Sequence, residues 1–143
     1  MRFMMLMIPK GYEQAEPGTM PDADAVAAMM KYNEALQQAG VLRALEGLHP
    51  PSMGARVSFE DGMPSVTEGP FPEANEVLGG FWMIDVASKA EAIAWAARCP
   101  AGVNEIIEIR QVQEFEEFPA DVQEAASGFR EMQGALGARN ENE

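Results

Sequence analysis

An apolar segment, VLGGFWMIDV (residues 77–86), is followed almost at once by a helix-start signal. The segment is rich in aromatic and β-branched residues, which favours a strand, and its two adjacent glycines allow a bulge or a close backbone approach at the entry. Ser88 and Glu91 then form an S-x-x-E capping box, in which each side chain satisfies a backbone donor of the first helical turn. We therefore predict a central strand joined directly to a helix over Lys89–Arg98.

Other patterns predict the remaining elements of this part of the chain. An apolar run before a Pro-Lys-Gly turn indicates a buried strand, and apolar residues at helical spacing, several of them Met, indicate a helix. An Asp-Gly pair between two β-prone stretches indicates a hairpin, and alternation of apolar and polar residues indicates a half-exposed last strand. These elements are a strand over Phe3–Ile8, a helix over Asp22–Ala39, an extended piece over 41–52, a hairpin over 55–67 and a strand over 104–112.

The predicted order is β-α-β-β-β-α-β, followed by an amphipathic helix over Asp121–Leu136. This order indicates an α+β fold of the ferredoxin-like, split βαβ type, with both helices on one face of an antiparallel sheet. The other face would stay bare, so we predict a homodimer in which two sheets enclose a shared interior, a dimeric α+β barrel. The predicted domains are an α+β domain over residues 1–118 and a C-terminal amphipathic helix with an acidic tail over 119–143.

The charge balance excludes several kinds of partner. Asp and Glu number 23 against 10 Lys and Arg, which gives a net charge of -13, and no basic cluster offsets it locally. Such a chain repels phosphate groups, so we expect no nucleic acid and no membrane surface as a partner. The apolar run Phe3–Ile8 is too short to span a membrane or to act as a secretion signal. The single cysteine, Cys99, fits a reducing compartment, so we expect a cytoplasmic protein.

Metal and nucleotide chemistry lack their usual sequence signals. The sole histidine and the sole cysteine do not make a zinc site in one chain, and the acidic residues show no calcium-loop spacing. The glycines of LGGF are adjacent within a strand, whereas phosphate-binding turns need spaced glycines that lead into a helix. We therefore expect no metal and no cofactor.

The segments VTEGPFPEANEVLGGFWMIDV and AEAIAWAARCP closely resemble the DGPF-domain, or YCII-related, family. The family signature is Asp-Gly-Pro-Phe, then Glu and Lys-Glu, then Gly-Gly and an aromatic strand. The likeness runs from Arg2 to about Val112 and includes EGLHPP and IIEIRQV. It implies a ferredoxin-like α+β domain that dimerises as an α+β barrel, in a family whose activity is largely unassigned.

This chain departs from the family pattern at several motif positions. More distant relatives carry a His and Asp pair in a cleft, which suggested that they are enzymes. Here the motif Asp is Glu68, the motif Lys is Asn75, and the sole histidine is His49, while Glu73 and Glu76 match the motif. The resemblance therefore assigns no enzymatic activity to this chain.

Glu68 and His49 are the predicted catalytic residues. Glu68 lies beside Gly69 and Pro70, on a backbone of restricted geometry, where a carboxylate can act as a general acid or base. The alternative is structural: its oxygens accept backbone N–H bonds and hold the loop closed. His49 would exchange a proton with Glu68 if the two lie within about 5 Å. Its alternative is a surface or capping group.

The predicted ligand site adds apolar walls to these polar groups. Phe71, Phe81 and Trp82 can form the floor of an apolar pocket, to which Tyr12 or Tyr32 contributes a hydroxyl. The alternative is a core role, because alternation along the strand sends Phe81 and Trp82 to opposite faces of the sheet. The predicted ligand-binding residues are Gly69, Pro70, Phe71, Glu76 and Trp82.

Two functions fit these residues. The first is a protein that binds a neutral or mildly polar small molecule in a cleft, with lyase-like or isomerase-like proton transfer by Glu68. The second is a non-catalytic regulatory or protein-interaction module, whose last helix over Asp121–Leu136 docks on its own sheet or on another protein.

Overall fold

The structure is a computed structural model that describes residues 1–140 of the chain. Two compact units are present, the first over Met1–Gln111 and the second beginning at Val112. The domain boundary expected between residues 118 and 119 stays a prediction. In chain order the elements are β1 (Arg2–Ile8), α1 (Ala23–Gln38), β2 (Leu42–Gly47), β3 (Ala55–Glu60), β4 (Met63–Glu68), β5 (Gly80–Asp85), α2 (Lys89–Ala97), β6 (Ile106–Gln111), α3 (Ala120–Ala125) and α4 (Phe129–Asn140).

The fold is α+β, with a four-stranded antiparallel sheet in the order β2-β5-β1-β6, as a ferredoxin-like arrangement requires. β5 is central, as predicted. The predicted count of three strands between the helices is wrong, because four strands lie between α1 and α2. The tight turn at Asp61 and Gly62, both with positive φ, lets β3 and β4 pair as a separate two-stranded sheet.

The core of the first unit lies between one sheet face and the two helices. Burial alternates strictly along β1 and β5, and cross-strand register places Met5 opposite both Trp82 and Ile109. The buried cluster comprises Phe3, Met5, Met7, Tyr32, Leu36, Trp82, Ile84, Val86 and Ala92. Since this cluster takes members from α1 and α2, both helices cover the same face of the sheet.

The opposite sheet face carries a second set of apolar side chains. Met4 lies opposite Met83, and Leu6 lies opposite Phe81, and all four are half-buried. Within the described residues the sheet is open, with β2 and β6 as its edges, and no barrel closes in one chain. The dimeric barrel therefore stays a prediction that concerns a second copy.

Local capping chemistry sets the helix ends that the sequence predicted. The Asp22 carboxylate accepts a hydrogen bond from the Ala25 N–H at 2.8 Å and begins α1, and Gly40 follows the helix with φ of 73°. Ser88 Oγ accepts from the Glu91 N–H at 3.2 Å and begins α2. The Glu91 carboxylate accepts from the Ala87 N–H at 3.1 Å, one residue before the position that a capping box uses.

The single terminal helix expected over Asp121–Leu136 is wrong. The second unit contains two helices, α3 and α4, and Gly128 between them has φ of 91°, which interrupts the helical backbone. α4 continues to Asn140 and so includes residues expected in a loose tail. The last residues of the predicted acidic tail, 141–143, lie outside the described residues. Across residues 1–140, none of the helices combines the length and apolar composition that crossing a bilayer requires.

Candidate ligand-binding site

A cavity of about 610 Å³ opens in the first unit where the ends of β1 and β2 meet the first half of α1. Its volume lies within the range of roughly 300–1,000 Å³ that ligand pockets occupy. The walls are mostly apolar and include several thioethers. The lining residues are Met7, Pro9, Tyr12, Thr19, Met20, Pro21, Ala25, Val26, Met29, Met30, Asn33, Gly47, Leu48, His49 and Gly79.

Gly79 links two segments of the wall of this cavity through backbone hydrogen bonds. Its N–H donates to the Met7 carbonyl at 2.8 Å, and its carbonyl accepts from the Leu48 N–H at 2.9 Å. A Cβ at this position would lie 2.7 Å from Pro9 Cγ, closer than real carbon atoms approach. Gly79 therefore allows a close approach of Pro9, and it joins the end of β1 to the chain that follows β2.

The hydroxyl protons of two wall residues are already committed to backbone carbonyls. Tyr12 Oη donates to the Leu48 carbonyl at 2.6 Å, and Thr19 Oγ1 donates to the Glu16 carbonyl at 2.6 Å. Partial burial raises the pKa of Tyr12 above its usual value, so the phenol is neutral at physiological pH. Both oxygens retain lone pairs with which they can accept a hydrogen bond.

Asn33 connects the large cavity to a second one of about 380 Å³, whose walls include Phe81 and Trp82. The indole N–H of Trp82 donates to Asn33 Oδ1 at 2.8 Å, and the Tyr32 ring packs edge-on against Trp82 with centroids 5.7 Å apart. Asn33 Nδ2 lies 3.6 Å from Met30 Sδ. The side chain thus lies in the walls of both cavities.

The structure separates the predicted site residues into two groups. His49 lines the large cavity and Trp82 lines the small one. Neither of these two cavities is lined by the other predicted residues, which are Glu68, Gly69, Pro70, Phe71 and Glu76. Their assignment to ligand binding or catalysis stays a prediction.

The loop after β4 is held by contacts around Gly69 and Phe71. The Gly69 N–H donates to the Gly54 carbonyl at 2.9 Å, and a Cβ at Gly69 would overlap the carbonyl oxygen of Pro51. The Arg56 guanidinium lies over the Phe71 ring at 4.2 Å from its centroid. Glu68 itself is exposed at the end of β4. The glycine and the aromatic residue thus have structural roles in this loop.

Asn33 and the thioethers on α1 are the site residues that sequence reasoning missed. Asn33 follows Met29 by four positions and Met30 by three, so it continues the apolar stripe of the helix. A polar side chain inside such a stripe was the available signal, because a buried amide needs hydrogen-bond partners. The sequence did not show that those partners would be Trp82 and a cavity.

The walls of the large cavity favour binding of an uncharged molecule over catalysis by charged side chains. None of its lining residues is Asp, Glu, Lys or Arg. Across the part of the chain that the structure describes, no three His, Cys, Asp or Glu side chains lie close enough together to hold a metal ion. The arrangement can enclose an apolar molecule and offer it a few fixed hydrogen-bonding groups.

The fold and the cavity define a small α+β protein with a ligand-sized pocket at one end of its sheet. A family model for the YCII-related domain matches residues 1–116 of the chain. The chain therefore belongs to the YCII-related family. A search of curated proteins finds no match to it.

Proposed function

We propose that this protein binds a small, mainly apolar molecule in the cavity between α1 and the ends of β1 and β2. The observation that carries the proposal is the cavity itself, about 610 Å³ of space with uncharged walls. Apolar walls with a few fixed polar groups are the usual composition of ligand pockets. The backbone bonds of Gly79 support the proposal further, because they fix two walls relative to each other.

Any proton transfer is assigned in this proposal to His49 rather than to Glu68. His49 lies in the cavity wall, whereas Glu68 is exposed and lines neither of the two cavities. A general acid or base must come within hydrogen-bond reach of the proton that it transfers. His49 meets this requirement for a molecule in the large cavity.

A matched pair of substitutions on α1 tests the binding proposal. Ala25 lines the cavity and Ala28 does not, and both are exposed on the same helix. We expect compounds from a broad metabolite panel to raise the melting temperature of the parent and of Ala28→Trp, but not of Ala25→Trp, whose indole would occupy the cavity. A panel without any stabilising compound, or equal stabilisation of all three proteins, would contradict the proposal.

A protein-interaction module is the second candidate function. Phe129, Met132 and Leu136 recur at helical spacing along α4, and all three are exposed. Exposed apolar side chains on one helix face are typical of a segment that docks into a groove. Removal of the residues after Pro119 tests this function. A truncated chain that folds and stays in solution supports it, whereas loss of solubility shows that the segment is needed by its own core.

A homodimer is the partner that we propose for either function. The half-buried apolar side chains on the sheet face opposite α1 and α2 support it, since a second copy could cover them.

A further inference from the structure

The amide of Asn33 faces the large cavity with its donor group. The indole N–H of Trp82 can only donate, so the atom that it meets at 2.8 Å is the Asn33 oxygen. Asn33 Nδ2 then lies on the side of Met30, a residue that lines the large cavity but not the small one. A thioether is a weak acceptor, so the NH₂ group still has donor capacity for a stronger one.

Among the side chains that line the large cavity, Asn33 has an NH₂ group whose direction is fixed by the hydrogen bond of its own oxygen to Trp82. The protons of Tyr12 and Thr19 are directed at the carbonyls of Leu48 and Glu16, so neither hydroxyl can donate to a ligand without losing a bond. His49 lines the cavity but is exposed, and within the described residues no hydrogen bond fixes its imidazole. A ligand acceptor therefore gains most at Asn33 Nδ2.

The cavity is selective against charge. An ion against these walls would lack an oppositely charged partner, so the walls favour an uncharged ligand. The net charge of -13 adds a long-range repulsion for anions. Four methionines, Met7, Met20, Met29 and Met30, line the space, and their flexible thioethers adapt to apolar surfaces of varied shape.

We infer that the cavity takes an uncharged, predominantly apolar carbonyl compound, whose oxygen accepts a hydrogen bond from Asn33 Nδ2. The inference rests on the proposed function, because it names the class of ligand for the same site. The carbonyl supplies the acceptor that Asn33 needs, and the rest of the molecule contacts thioethers and aliphatic carbons. No covalent step is involved.

Three probes of nearly equal shape test the class of ligand. They are 2-acetylnaphthalene, its isostere 2-isopropenylnaphthalene, in which CH₂ replaces the oxygen, and 2-naphthoate. Equilibrium dialysis against the full chain measures their dissociation constants. We expect the ketone to bind about tenfold more tightly than the isostere, as one hydrogen bond in an apolar site provides, and the carboxylate to bind most weakly.

A substitution at Asn33 tests the role of its NH₂ group. Asn33→Asp keeps an oxygen for the Trp82 N–H and removes the donor, so the preference for ketone over isostere should fall to about onefold. Asn75→Asp is the matched control, because it makes the same chemical change at an exposed position that lines neither cavity. The control should keep the preference of the parent.

The outcomes distinguish failure of this inference from failure of the proposed function. If the isostere or the carboxylate binds the parent as tightly as the ketone, the cavity is a ligand site but the inference about its ligand class is wrong. The same holds if Asn33→Asp keeps the preference for the ketone. If none of the probes binds, the inference about the ligand class is wrong. If the metabolite panel also stabilises none of the proteins, the proposed function is wrong as well. The probe series on the parent decides the matter even if Asn33→Asp does not fold.

Discussion

The loop after β4 requires a glycine at position 69, directly after Glu68. Its φ is not in the left-handed region, so its importance is steric: a Cβ would overlap the Pro51 carbonyl oxygen. We expect Gly69→Ala to lower the free energy of unfolding by about 2 kcal/mol, measured by urea denaturation, because the backbone must shift. Glu68→Ala is the control, since its side chain is exposed and should change stability by less than about 0.5 kcal/mol. A larger effect for Glu68→Ala would support the structural role, in which the Glu68 carboxylate holds the loop closed.

Cys99 is a half-buried thiol whose proton the fold retains to a higher pH than the unfolded chain does. Burial, with a smaller contribution from the Glu105 carboxylate, raises its pKa from 9.0 to about 11. The folded state therefore keeps a proton that the unfolded chain releases, so the contribution of this group to stability is complete below pH 9 and is lost as the pH rises toward 11. We expect iodoacetamide to alkylate the folded protein with a rate that rises until about pH 11, whereas the urea-unfolded chain should reach its maximal rate about two pH units lower.

Equal pH profiles for the folded and unfolded protein would contradict this prediction. Cys99→Ala provides the matching stability measurement, because it should lose less stability than the parent between pH 9 and 11. Tyr32 will keep part of the alkaline effect in that variant, since burial also raises its pKa.

At the level of elements, the N-terminal end of α1 connects stability to the site. The Asp22 carboxylate caps this helix, and the first turns carry Ala25 and Val26 in the cavity wall. We expect Asp22→Ala to cost about 1 kcal/mol in urea denaturation and to weaken ligand binding, because the first turn frays. Asp24→Ala is the control, because this acid contributes only through the helix dipole and should cost a few tenths of a kcal/mol. Equal losses for the two variants would show that the cap is unimportant.

Helix ends were predictable from the sequence where their chemistry is local. Asp22, Gly40 and Ser88 each act on a backbone group within five residues, so the sequence alone shows the cap. The break at Gly128 was not predictable in the same way. Gly134 lies inside α4 without interrupting it, so the sequence alone does not show which glycine of a helical pattern ends the helix.

At the scale of the whole molecule, the fold was more predictable than the site. The order of the sheet strands and helices was predictable from local patterns, whereas the unbroken apolar run of β1 did not show which of its faces meets the helices. The cavity instead joins segments within residues 7–21, 25–33, 47–49 and 79, which no local pattern relates to one another. Strand register and the bonds of Gly79 bring these segments together, so the site appears only in three dimensions.

We expect the protein to form a homodimer, and two surfaces with apolar side chains on the first unit support this prediction. One is the sheet face opposite α1 and α2, where Met4, Leu6, Phe81 and Met83 lie beside the charged residues Glu108 and Arg110 of β6. The other is one side of the β3–β4 hairpin, where Val57 lies opposite Val66 and Phe59 opposite Pro64, with Phe59 73% exposed. A stable interface needs about 20–30 residues on each side, so the hairpin alone is too small and we expect the sheet face to contribute.

Light scattering at micromolar concentration should therefore give twice the chain mass of 15.6 kDa. Met83→Lys should shift the protein toward the monomer, because it places an unpaired charge on the sheet face. Phe59→Ser tests whether the hairpin contributes to the dimer interface, because Phe59 is exposed and lies outside the core. Val103→Lys, at a loop position that is 86% exposed, is the control and should leave the mass unchanged. A parent protein that remains a monomer would show that the sheet face needs no second copy, and the barrel interior expected from two sheets would then not form.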